Sequence, residues 1–199
     1  MAKYIQVPPL PWNELQNPDK QVVHDALLAE QHHVCVYCGK RITTDFRSSH
    51  IEHFQPQAAH QNLRFMWDNL FASCGPTGAS TTPRTCGEYK DNWDPIGYIE
   101  PTDPLCEKKF EYDGNGGIWP AGMGGSRAKT MIAKLNLDDQ SLCYERFLIV
   151  AEIEDRINDG MIDATNQAAE VALWRTVDAK GMMVSYSHVA ARYLEDLVL

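Results

Sequence analysis

No run of eighteen consecutive apolar residues occurs in this chain of 199 residues, which removes a membrane-spanning helix from consideration. The opening Met1-Ala2-Lys3-Tyr4-Ile5-Gln6-Val7-Pro8-Pro9 lacks an apolar core of the signal-peptide kind, so a cytoplasmic location is expected. No internal repeat or low-complexity tract is present, which excludes solenoids and fibrous assemblies. The run Gly122-Met123-Gly124-Gly125 lacks the Gly-Lys-Ser/Thr ending of a phosphate-binding loop, and no buried strand precedes it. It reads as a flexible joint. An excess of basic residues is missing too: 18 Lys and Arg stand against 27 Asp and Glu, a net charge of −9. A surface of that sign does not hold phosphate by itself, because such binding depends on cations that displace counterions.

What is present is concentrated between Cys35 and Lys90. Cys35-Val36-Tyr37-Cys38-Gly39 has the spacing of a zinc knuckle, in which two thiolates reach one tetrahedral ion. The second half is irregular, since Cys74 and Cys86 are separated by the eleven residues Gly75 to Thr85. Closure entropy grows only logarithmically with length, so such a polar insert costs little. Cys35, Cys38, Cys74 and Cys86 are therefore assigned to one structural Zn2+, against the alternative of four separate core thiols. Cys106 and Cys143 are left as ordinary thiols. Between the pairs lie Glu52 and His53, a carboxylate able to hold a hard cation and an imidazole able to take a proton from water. Neighbours in an extended strand point to opposite sides, so sharing a site requires a turn or twist.

This series, with Ile51-Glu52-His53-Phe54-Gln55-Pro56, Trp67-Asp68-Asn69-Leu70, Ser73-Cys74 and Cys86-Gly87-Glu88-Tyr89-Lys90, resembles an HNH nuclease domain. More closely it is similar to the small HNH proteins of Septu and retron-linked anti-phage systems, the PtuB type. Ile118-Trp119-Pro120, Leu135-Asn136-Leu137 and Arg146 continue the likeness, which runs from about residue 30 to 157. The resemblance implies an α+β fold with a ββα-metal core. It also implies phosphodiester hydrolysis with catalytic Mg2+ or Mn2+, and catalytic roles for His53, Glu52 and Asn69, with Asn69 orienting rather than ligating. The implied partners are nucleic acid, DNA or RNA, an ATPase of the PtuA type, and a retron reverse transcriptase with its noncoding RNA.

One departure stands out: the residue after the last cysteine, which in the common pattern supplies a second metal ligand, is Gly87. Asp91 and Glu88 are the replacements considered. Asp91 is placed ahead because a helix starting near Gly87 would set it one turn on, on the same face. His50 shares the strand face of Glu52, where it could touch metal or phosphate, or lie outside them. Lys90 is either a phosphate contact or an exposed lysine.

Around this core, residues 1–34 read as an extended arm and a helix from Asn17, its cap, to about Gln31, with a one-sided stripe of Val22, Val23, Ala26, Leu27 and Glu30. His24, His32 and His33 read as surface or packing residues. Residues 35–95 form the nuclease core. Short strands are expected near Arg41-Ile42 and over 50–54, and Phe65, Trp67, Leu70 and Phe71 read as the core beneath. Residues 96–125 are a connector with a hairpin at Asp113-Gly114-Asn115-Gly116-Gly117. Residues 126–199 form a helical lobe for partner docking, with a first helix capped by Ser126.

Charge separates along the chain. From Cys35 to Trp93 six basic residues meet five acidic ones, whereas the segment after Leu137 is strongly acidic. Two functions follow: an endonuclease to which a partner presents the substrate, or an inactive zinc-stapled scaffold of the same complex. Elemental analysis of the purified chain is expected to find about one zinc per chain, lost when Cys35 or Cys86 is replaced by Ser.

Overall fold

The computed structural model describes residues 11–45, 47–75, 84–122 and 124–198; Phe46, Met123, Leu199, residues 1–10 and most of the insert between Cys74 and Cys86 lie outside them. Helix α1, Asp19–Glu30, buries His24, Leu27 and Leu28. Val22 and Ala26 are exposed, so the buried face is displaced from them toward His24 and Leu28. Asn17 does not cap it: Pro18 holds that position and no side chain satisfies the first turn. After α1 the chain makes the knuckle, closed by Cys35 N donating to Lys40 O at 2.8 Å and Gly39 N to Cys35 O at 2.9 Å. The strand expected near Arg41 amounts to one bridge between Val34 and Arg41.

Strand β1, Ser49–His53, pairs antiparallel with β2, Leu70–Cys74, in a register that sets Glu52 opposite Phe71 and His53 opposite Leu70. Helix α2, Cys86–Lys90, packs on β2 and completes a ββα unit. Every residue of β2 is buried. This strand lies within the stretch read from the sequence as a hydrophobic cluster. Leu70 and Phe71 are indeed core, but Phe65 and Trp67 face solvent. The side-chain amide of Gln31 substitutes for a third strand, accepting from Ala72 N at 2.7 Å and donating to Ala72 O at 2.8 Å. With Val36 N also donating to Ala72 O at 3.1 Å, the backbone of Ala72 is fully satisfied on this side of β2.

The hairpin forms as expected: β3, Phe110–Tyr112, pairs with β4, Ile118–Pro120. Four helices follow, α3 Gly125–Leu135, α4 Gln140–Asn158, α5 Gln167–Trp174 and α6 Ser187–Asp196. Ser126 lies inside α3 rather than capping it. Asn136, left-handed at φ 49°, ends α3, and Asp139 caps α4 through Ser141 N at 2.9 Å. None of the described helices is long and apolar enough to cross a membrane.

The helices sit directly on the knuckle. Tyr186 N donates to Gly39 O at 2.8 Å, and Lys40 pairs with Glu145 at 2.6 Å. Gly39 has φ +74°, and a β-carbon there would stand 2.2 Å from the His188 ring, so both conformation and space demand glycine. Arg146, 1 % exposed, acts as an internal tie. Its Nε donates to Gly116 O at 2.7 Å and its Nη2 to Leu137 O at 3.0 Å, joining the hairpin turn to the α3–α4 corner. Arg146→Met is expected to leave both carbonyls unpaired and to cost about 3 kcal/mol in urea denaturation; a loss below about 1 kcal/mol removes the tie.

Candidate metal centre and catalytic face

Four thiols from three segments converge. Cys35 and Cys38 come from the knuckle, Cys74 ends β2 and Cys86 opens α2; all are buried and their sulfurs lie within 4.8 Å of one another. Cys38 Sγ and Cys74 Sγ are 3.6 Å apart, close to the edge of about 3.8 Å of a tetrahedron with metal–sulfur legs of about 2.3 Å. Cys74 N donates to Cys35 Sγ at 3.2 Å, which favours a thiolate. Without a cation the four compete for charge. Cys35 lies well below the usual thiol range because the bonds to the other three sulfurs outweigh its burial. Bonding to Cys35 and Cys74 drives Cys38 up, and burial drives Cys86 up. A divalent cation removes that competition, so the donor set fits a resident metal. Cys86 adopts φ +56°, a left-handed conformation that turns its sulfur toward the cluster at the mouth of α2.

Glu52 and His53 leave β1 on opposite faces. Glu52, 7 % exposed, points toward α2. Its Oε1 is 2.8 Å from the Lys90 ammonium and accepts from Tyr37 Oη at 3.3 Å, while its Oε2 lies 3.7 Å from His50 Nε2. Lys90 also donates to the His53 carbonyl at 3.0 Å. It is 3 % exposed, so the alternative of a surface lysine is excluded and its ammonium is engaged inside the unit rather than free for phosphate. Burial first, then the Glu52 charge, pushes the Tyr37 phenol well up, which keeps it a neutral donor. For His50, burial pulls the imidazole down but the neighbouring Glu52 carboxylate overrides it, a net rise.

His53 faces the other way. Its Nε2 is 3.0 Å from the Arg64 carbonyl. A carbonyl only accepts, so Nε2 carries the proton and Nδ1 keeps a lone pair. Trp12 packs edge-on to the ring, centroids 4.5 Å apart, and leaves the residue 6 % exposed. Burial is the largest reason that His53 titrates below the ordinary imidazole range. The Asn69 side chain accepts from Gln55 N at 2.8 Å and donates to Gln55 O at 3.1 Å and Leu63 O at 3.2 Å. It clamps the loop between β1 and β2, from which Arg64 presents its carbonyl.

The two acidic replacements for a side chain at 87 are placed differently. Asp91 lies past the end of α2, exposed, with Oδ1 accepting from Asn92. Glu88 lies over Gly75, where a β-carbon would be 3.1 Å from its Oε2. Among the described residues, no group of three or more ligands other than the four cysteines lies close enough to hold an ion. The sequence reading missed Tyr37 and Trp12. Tyr37 carried a signal, being enclosed by the cysteine pair and so forced beside whatever the pair staples. A hollow of about 770 Å³ between the knuckle and α6 does not touch Glu52 or His53. It includes His188, which burial pushes down to about 4.

The shielding of His53 has a measurable consequence. Trp12→Ala is expected to raise the His53 pKa toward about 6.5, because removing the indole rehydrates the charged ring. NMR titration of the ring proton without added Mg2+ or Mn2+ reads this directly; an unchanged value means that Trp12 is not the shield.

No family model matches the chain. Among curated proteins, it is 36% identical over 134 residues to the "Retron Vc95 putative HNH endonuclease" of Vibrio cholerae serotype O1 biovar El Tor, a match covering 64% of this chain and 62% of that protein. It is also 36% identical over 55 residues to "Septu protein PtuB" of Bacillus thuringiensis, covering 28% of this chain and 21% of that protein. The chain thus spans less than two thirds of the length of the relatives it matches. With four cysteines gathered beside a ββα unit that carries an adjacent Glu-His pair, the chain is similar to HNH proteins of the Septu and retron type.

Proposed function

We propose that the chain is a metal-dependent HNH endonuclease that hydrolyses phosphodiester bonds as the effector of an anti-phage defence complex. DNA is the first substrate and RNA, tRNA included, the second. The observation that carries this reading is the His53 ring. Because Nε2–H is held on the Arg64 carbonyl, the neutral imidazole keeps Nδ1 as a base, and burial holds it neutral at pH 7. In the reaction Nδ1 takes the proton of the attacking water. Asn69 keeps the Arg64 loop in place and so fixes the tautomer.

Glu52 would hold the catalytic Mg2+ or Mn2+ through Oε2, since Oε1 is engaged by Lys90 and Tyr37. When bound, that cation supplies charge neutralisation at the scissile phosphate and the leaving 3′-oxygen. Zn2+ on Cys35, Cys38, Cys74 and Cys86 is structural, because four protein sulfurs leave no open position. The net charge of −9 supports substrate presentation by a partner. The relatives are named for a retron and for Septu, and an ATPase of the PtuA type and a retron reverse transcriptase with its noncoding RNA are the partners proposed for that role. Six free cysteines agree with a reducing, cytoplasmic setting.

A second reading, an inactive zinc-stapled scaffold, is favoured by one observation: Lys90 already neutralises Glu52 at 2.8 Å. A nicking assay with the ATPase partner and Mg2+ or Mn2+, on DNA and on RNA, separates the two. The nuclease reading expects cleavage that falls by about 100-fold or more in His53→Ala. Equal cleavage by the variant removes His53 from the mechanism, and no cleavage by either protein leaves the scaffold.

A further inference from the structure

The space above Gly87 is where β1 and α2 meet, and it is lined by donors rather than by carbon. His50 and Glu52 stand two residues apart on β1 and so share a face. A β-carbon built on Gly87 would lie 2.8 Å from His50 Nε2 and 2.8 Å from Glu52 Oε2. A side chain at position 87 and the His50 ring therefore compete for one volume, and in this chain the imidazole has it. The Gly87 amide is spent elsewhere, donating to Ser73 Oγ at 3.0 Å.

With the His50 ring neutral, the atoms facing each other there are poorly matched unless something lies between them. Glu52, its side chain 9 % accessible, has given Oε1 to Lys90 and Tyr37, so Oε2 is the oxygen with capacity left. The other ring nitrogen of His50, Nδ1, faces the Gly75 carbonyl at 3.5 Å. In a neutral ring, Nδ1 faces a carbonyl favourably only as a donor, which leaves the Nε2 lone pair directed at Oε2. Their separation of 3.7 Å is longer than a hydrogen bond. It is also shorter than two metal–ligand distances of about 2.1 Å each. One small cation bridges such a pair of acceptors.

We infer that His50 is the second protein ligand of the divalent cation held by Glu52, standing in for the side chain that position 87 lacks. The inference rests on the nuclease reading of Glu52 and narrows its metal. One imidazole nitrogen beside one carboxylate oxygen suits Mn2+ and the later first-row ions better than Mg2+, which prefers oxygen throughout. It also displaces Asp91, which lies beyond the end of α2 and accepts from Asn92.

The test is Mn2+ binding to the full chain loaded with one zinc, read by electron paramagnetic resonance, with spin-echo modulation reporting directly bound imidazole nitrogen. Wild type is expected to bind Mn2+ at least about tenfold more tightly than Mg2+, with nitrogen modulation. His50→Gln is expected to lose the modulation and about tenfold or more in affinity, while Asp91→Asn changes neither. Gly87→Asn alone is expected to weaken binding because its β-carbon meets the His50 ring. His50→Ala combined with Gly87→Asn is expected to recover most of the affinity lost in His50→Ala, without the nitrogen signal. Zinc content of one per chain in each variant shows that the knuckle has folded. Mn2+ bound through Glu52 with no nitrogen modulation overturns the role of His50 and leaves the cation on Glu52 standing; His50 is then an imidazolium paired with Glu52. No Mn2+ bound, with Glu52→Gln behaving like wild type, overturns both.

Discussion

The ββα unit depends on the convergence of four sulfurs. A two-stranded sheet is marginal in water, and α2 has only five residues, well short of what a helix needs to persist alone. Cys35 and Cys38 lie in the knuckle, Cys74 at the last residue of β2 and Cys86 at the first of α2. Linking these four points joins every part of the unit except β1, and β1 is held by its ladder to β2. Mutual crowding of buried thiols opposes that convergence in the absence of a cation, so a metal held by these four sulfurs would couple its binding to folding of this region.

The same closure sets the electrostatics on either side of β1. Toward α2, Glu52 is buried among Lys90, Tyr37 and His50, so its charge is compensated at one oxygen and open at the other. Away from α2, His53 is enclosed by Trp12 and tethered to Arg64, which keeps the ring neutral and fixes its tautomer. Adjacent residues thus acquire different chemistry because the strand alternates and each face meets a different neighbour. Lys90 links the faces by bonding the Glu52 carboxylate and the His53 backbone carbonyl together. The helical part contributes rigidity: Gly39 admits His188 against the knuckle, and Arg146 locks the hairpin to the α3–α4 corner.

Much of this was legible in the residues. The cysteine spacing identified the four thiols that come together, the Glu-His pair marked the strand that carries them, and the stretch after residue 126 read as helical. The strand β2 was not legible, because Leu70 to Cys74 is a short continuous apolar run whose period distinguishes neither strand nor core cluster. The Asn17 and Ser126 caps were misplaced for a similar reason, since capping depends on local backbone angles that composition does not specify.

Donor types, their order and the missing side chain at 87 were determined by the sequence alone, because covalent identity and short-range spacing restrict which ligands a segment can offer. Which of those donors meet was decided by tertiary structure. Lys90 turned inward, Asp91 fell past the end of α2 into solvent, and His50 came over Gly87, through contacts between segments far apart in the chain.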